Sequence, residues 1–172
     1  MKTVVVLVGV GAALTLQTTL SGLLIGRMLT VNLVLVAVVC AALAFGAVTG
    51  AVAGTVGGLA QDALAGGIVG IGGLSETVIG FVVGLLGAQF IMSGFVARFM
   101  MFAAATFVHA AVFEVLSALA GGRPFALRWG ATGVQALVNA VIGVTIFWIV
   151  EHGPETLARR RARRATFSKR RF

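Results

Sequence analysis

Four ionisable residues, Asp62, Glu76, His109 and Glu114, lie within or beside long apolar stretches, where a charge is expensive and marks either chemistry or a specific structural contact. Proton relay would need two of them on one face. His109 and Glu114 are five residues apart, about 140° around a helix, so they do not share one. Asp62 ends a glycine ladder beside a glycine-rich break, where it can close a polar site, cap the following backbone or reach the membrane interface. Ser75 and Glu76 suit a helix start, the hydroxyl as cap and the carboxylate as complement to the helix dipole. Gln135 and Asn139, at i and i+4, do share a face. With Gln17, Asn32, Gln61 and Gln89 they supply interhelical hydrogen bonds, each worth about 0.6 kcal/mol in a membrane, so packing is a sufficient account of them.

Catalytic signatures are missing from the sequence. No serine sits in a nucleophile elbow, neither His-Glu-x-x-His nor Cys-x-x-Cys occurs, and there is no phosphate loop. His109 and His152 have no sequence-visible metal partners. The expectation is a protein that is not an enzyme and that carries no cofactor or metal.

The elements that position these residues are membrane helices. With 59% apolar and 10% charged residues among 172, and a mean hydropathy of +1.09, the chain cannot cover a water-soluble surface. Gly46, Gly50, Gly54 and Gly58 follow at a spacing of four, one step before Asp62. On a helix they form a stripe without side chains, against which another backbone packs closely. The stripe serves either a partner or the chain's own helices. Cys40 is a single cysteine in an apolar run, so no intrachain disulfide forms.

Six spans are expected. Thr3 to Gly26 reads as a retained first helix rather than a cleaved signal. Met28 to Gln61 is uncharged for 34 residues and divides into a helix opened by Asn32, a turn near Phe45 and Gly46, and the ladder helix. Residues 62–73, with five glycines including Gly66 and Gly70, predict an irregular connection. A fourth helix then starts at Ser75 and Glu76 and carries Gly80, Gly84 and Gly87. A short basic turn spans Ser93 to Arg98, and a fifth helix runs to Ala120. The last helix has Trp129 and Trp148 about 28 Å apart as interface anchors and ends at Gly153 and Pro154. The organisation is thus a transmembrane domain, 1–154, and a basic tail, 155–172.

Residues 1 to 158 carry five basic and five acidic groups, so the formal charge of +8 lies wholly in Arg159, Arg160, Arg161, Arg163, Arg164, Lys169, Arg170 and Arg171. A juxtamembrane run of this kind puts the C-terminus in the cytoplasm on anionic lipid, and argues against nucleic acid as its partner. Six helices return the N-terminus to the same side. Arg27, Arg123 and Arg128 then face outward, and a five-helix plan would add Arg98 to them.

Several segments together resemble the MreD family of rod shape-determining proteins: Leu16-Gln17, Asn32-Leu33-Val34-Leu35, the run Gly54 to Gly66 with Gly57-Gly58, Gln61-Asp62 and Leu64, then Gly70, Val138-Asn139 and the basic C-terminus. The pattern Gly-x-x-x-Gln-Asp-x-Leu-x-Gly is the most specific. Val31 departs from the proline common before the second helix, and aromatic content is lower. The resemblance implies a small, non-catalytic, multi-pass protein of the bacterial inner membrane. It further implies binding to MreC, within an elongation assembly that includes MreB, RodA and a class B penicillin-binding protein. The six-helix plan also resembles substrate-binding subunits of energy-coupling-factor transporters. That alternative would place a small solute near Asp62 and Glu114. On the first reading the stripes Gly46 to Gly58, with Gln61, Asp62, Gly66, Gly70, Gln135 and Asn139, are packing or partner positions.

Overall fold

The computed structural model describes residues 2–23, 31–66, 68–90, 94–122 and 124–168, with backbone alone at 21–23 and 152–168. It is an all-α membrane protein of six helices: α1 (Lys2–Leu23), α2 (Leu33–Phe45), α3 (Ala47–Ala65), α4 (Ile71–Gln89), α5 (Phe95–Gly121) and α6 (Trp129–Ser168). Among the described residues α1, α4, α5 and the Trp129–Glu151 part of α6 are long and apolar enough to cross a bilayer. Glycine, Gln61 and Asp62 make α3 less apolar, and α2, at 13 residues, is short.

Successive helices run antiparallel, as the residue pairing requires. Gly50 meets Gly80, Gly54 meets Glu76, and Gly58 meets Gly72 and Gly73 across α3 and α4. Phe102 meets Gly143 and Arg98 meets Glu151 across α5 and α6. One end of the bundle thus holds Lys2, Gly46, Phe95 and Glu151; the distal end holds Leu33, Ala65, Ile71, Gly121 and Trp129.

Helix α2 forms the centre. Eight of its residues are buried, from Leu33 to Ala42, and it touches all five other helices. Leu35, Val36 and Val39 pack with Ile79, Val83, Phe102, Ala105, Ala140 and Val144, while Val34 and Val38 pack with Val6, Val10 and Ala53. At about 1.5 Å per residue α2 spans about 20 Å, some 10 Å less than a hydrocarbon core. Its distal end therefore lies at depth, covered by neighbours.

Glycine governs the α2–α3–α4 unit. Gly46 turns the chain with φ 92°, a backbone conformation that L side chains rarely adopt. It caps α2 by donating to Ala42 O at 2.9 Å and opens α3 by accepting from Gly50 N at 3.0 Å. Gly46 is thus the hinge at the foot of the ladder rather than a rung within the helix. A Cβ on Gly58 would fall 2.6 Å from Gly72 O, and one on Gly54 2.7 Å from Thr77 N. The ladder is consumed inside the chain, against the second stripe on α4, so the intramolecular role holds for Gly50, Gly54 and Gly58.

Three boundaries differ from the sequence expectation. Helix α4 begins at Ile71, earlier than expected, Gly66 and Gly70 have positive φ, and Glu76 lies inside the helix instead of at its start. The amides at the actual start of α4 are met by Asp62; Ser75 Oγ instead donates to Gly72 O at 3.0 Å. Arg98 belongs to the first turn of α5, not to a loop. Helix α6 continues through Gly153 and Pro154 to Ser168, across the expected 154/155 boundary. Proline holds a helical φ, and a preceding glycine lacks the Cβ with which the ring collides.

Candidate functional site

The distal ends of α2 and α4 pose the same problem. A helix N-terminus leaves its first N–H groups without intrahelical acceptors; Leu33 to Leu35 at α2 and Gly72 and Gly73 at α4 are buried, and Gly70 is half-buried. At α2 the solution comes from two side chains. Gln17 Oε1 on α1 accepts from Leu33 N at 2.8 Å and Val34 N at 3.2 Å, and Asn32 Oδ1 accepts from Leu35 N at 2.9 Å. At α4 a single carboxylate oxygen suffices: Asp62 Oδ2 accepts from Gly70 N at 2.8 Å, Gly72 N at 2.9 Å and Gly73 N at 3.2 Å. Negative charge at a helix N-terminus is also favoured by the macrodipole. Of the roles open to Asp62, the fold selects capping, supplied from the neighbouring helix.

Asn32 is the node of the assembly. Its backbone N–H donates to Asn139 Oδ1 at 3.2 Å, and Asn139 Nδ2 donates to Thr106 Oγ1 at 3.3 Å. Because Asn32 Oδ1 is committed to Leu35 N, the amide orientation is fixed, and Nδ2 faces Glu76 Oε1 and His109 Nε2, each at 3.4 Å. The amide supplies two protons, one for each neighbour. His109 thus accepts at Nε2, an assignment of the ring proton to Nδ1 that follows from the network. Asn32, Glu76, His109, Thr106 and Asn139 are all buried, and Glu76 is only 1% exposed.

Every helix contributes: Gln17 from α1, Asn32 capping α2, Gln61 and Asp62 from α3, Glu76 from α4, Thr106 and His109 from α5, and Asn139 from α6. Sequence reasoning took Gln17, Asn32, Gln61 and Asn139 as packing contacts, weighed Asp62, Glu76 and His109 one by one, did not single out Thr106, and missed that they converge. Gln135, one turn before Asn139, is half-buried at the edge. Three polar atoms in this region are buried without a hydrogen-bond partner in the protein: Gln61 Oε1, Glu76 Oε2 and His109 Nδ1.

Glu114 lies apart and serves backbone, accepting at Oε1 from Ala126 N at 3.2 Å to fasten the 124–128 connection to α5. Asp62 and Glu114 are both turned to main-chain amides. At the opposite end Arg98 forms a two-pronged ion pair with Glu151, at 2.5 and 2.9 Å, and lies 4.5 Å over the Phe147 ring. Sequence reading had no signal for that pairing. Of the basic tail, Arg159, Arg160, Arg161, Arg163 and Arg164 fall on the α6 backbone, while Lys169, Arg170 and Arg171 lie outside the described residues, as do Arg27 and Arg123. Among the described residues no three His, Cys, Asp or Glu side chains converge as metal donors.

A groove of about 490 Å³ opens between α1, α2 and α6, which leave a lateral gap because α1 and α6 do not touch. Small residues, Gly9 and Ala13 on α1 and Ala37 and Ala41 on α2, line its floor, while Ile146, Phe147, Val150 and Glu151 form the α6 wall. A Cβ on Gly9 would meet nothing within 4 Å, the reverse of the α3–α4 glycines.

Comparison with known proteins gave no match, whether to a family model, to a curated protein or to a solved structure.

Proposed function

We propose that this chain is a non-catalytic scaffold of the bacterial cell-elongation machinery, an MreD-like protein of the inner membrane that binds MreC and supports lateral peptidoglycan synthesis beside MreB, RodA and a class B penicillin-binding protein. The observation that carries this reading is where the resembling residues fall. Gln17, Asn32, Asp62, Gly70 and Asn139 all belong to the interhelical assembly that caps α2 and α4. Their chemistry is spent on holding six helices together, which is what a scaffold requires, and none of the five is arranged to act on a substrate.

With the glycine ladder occupied internally, the α1/α2/α6 groove, lined in part by Gly9, Ala13, Ala37 and Ala41, is the surface this reading offers a neighbour. In lipid, close approach to glycine and alanine is what draws helices together. The transmembrane helix of MreC is the occupant this reading assigns to it. Both termini lie in the cytoplasm, and the arginine run rests on the anionic leaflet, at about 1 kcal/mol per cation near the surface.

Co-purification of the tagged full chain with MreC in mild detergent tests the reading. Capture is expected from wild type and is expected to fall at least fivefold for Gly9→Leu with Ala41→Leu. Failure of wild type to capture MreC overturns the proposal, and undiminished capture by the double variant moves the interface away from the groove.

A further inference from the structure

We propose that Glu76 and Gln61, beside the bare backbone of Gly57, form a binding site for one small monovalent cation of the sodium class, held with water between α3, α4 and α5. Glu76 Oε2 and Gln61 Oε1 are buried oxygens without a hydrogen-bond partner in the protein. Gly57 and Gln61 are at i and i+4 on α3 and so share a face. A Cβ on Gly57 would lie 3.6 Å from Glu76 Oε2, which places that oxygen against side-chain-free backbone on the face that carries Gln61. His109 reaches the same carboxyl group from the other side through Asn32 Nδ2.

Protonating Glu76 is the competing way to satisfy the site, because the new hydroxyl needs an acceptor and Gln61 Oε1 is itself unpartnered. No Lys or Arg among the described side chains pairs with it, and a buried carboxylate without a counter-charge is unfavourable in hydrocarbon. A cation meets both demands together: it takes lone pairs from Glu76 Oε2 and Gln61 Oε1, and it offsets the carboxylate charge.

The donor set selects the ion. Carboxylate and amide oxygens suit a hard cation over a soft one. A single uncompensated carboxylate matches one positive charge, because Asp62 is already balanced by three amide donors at the start of α4. Convergence of three acidic, histidine or cysteine ligands, as a transition metal would need, does not occur among the described residues.

Thermal unfolding of the detergent-solubilised full chain, followed by tryptophan fluorescence, tests this directly. Sodium chloride is titrated at constant ionic strength against choline chloride, at two fixed pH values. The unfolding midpoint is expected to rise saturably with sodium and not with choline. Glu76→Gln is expected to raise the half-saturating concentration at least tenfold, and Gln61→Leu by a smaller factor. A wild-type midpoint indifferent to sodium overturns the proposal whatever the variants do. So does a midpoint that follows pH alone, which would assign the site to a proton, and so does a full sodium response in Glu76→Gln.

Discussion

Gly54 and Glu76 touch through their backbones: a methyl group added to Gly54 would overlap the Glu76 carbonyl on the facing helix. The contact joins the centre of the glycine ladder to the turn that carries the buried carboxyl. Any side chain at residue 54 must push α4 outward and take Glu76 away from Asn32 with it.

Substitution along this seam is therefore expected to cost stability in proportion to depth. Gly54→Ala should destabilise by about 1–3 kcal/mol, the usual penalty of overpacking, and Gly54→Leu by more. Gly9→Ala, on the open α1 wall, should change the unfolding midpoint little. Denaturation of the three variants in one detergent compares them.

Asn32 should show an inverted ranking of conservative changes. Asn32→Ala removes the cap on Leu35 N, a loss of about 1 kcal/mol, and unpairs Glu76 and His109 further. Asn32→Asp keeps an acceptor for Leu35 N but replaces the shared donor with a carboxylate facing Glu76. The aspartate variant is expected to unfold at lower temperature than the alanine variant, and equal midpoints would count against the assigned amide orientation.

Asp62→Ala should leave three amides of the α4 start without acceptors, each costing about 1–3 kcal/mol if it stays buried. The helix is expected to fray there first. Hydrogen exchange at Gly70, Gly72 and Gly73 should accelerate at least tenfold, with Ile79 to Val83 still protected, and Asp62→Asn should fall between the two.

At the other end, Arg98→Lys keeps the charge but loses the paired fork on Glu151 and the stacking over Phe147. With Glu151 at 42% side-chain exposure, the loss is expected to stay under about 1 kcal/mol and to shrink with added salt. Unfolding midpoints at low and high ionic strength measure both effects.

Much of the fold was legible because bilayer length and glycine spacing constrain it strongly. Apolar run lengths located all six helices, and the turn at Gly46 followed from dividing a run too long for one span. The start of α4 was misplaced because Ser75 and Glu76 look like a cap, while the group that caps it, Asp62, lies eight residues before the first amide it binds. Helix α6 was cut short because proline is a stop signal whose force depends on the residue before it. The polar assembly was legible only as parts. Asn32 and Asn139 are 107 residues apart, and nothing in local periodicity says that two such residues meet.

That separation has a consequence for how the chain is made. The buried backbone amide of Asn32 finds its acceptor on the last helix, so during synthesis α2 enters the bilayer, about 10 Å too short to span it alone, with that one N–H unpaired until α6 has emerged from the ribosome. Nascent forms ending before Asn139 would expose that defect to the insertion and quality-control apparatus, and the final helix would act as the latch that releases a completed molecule.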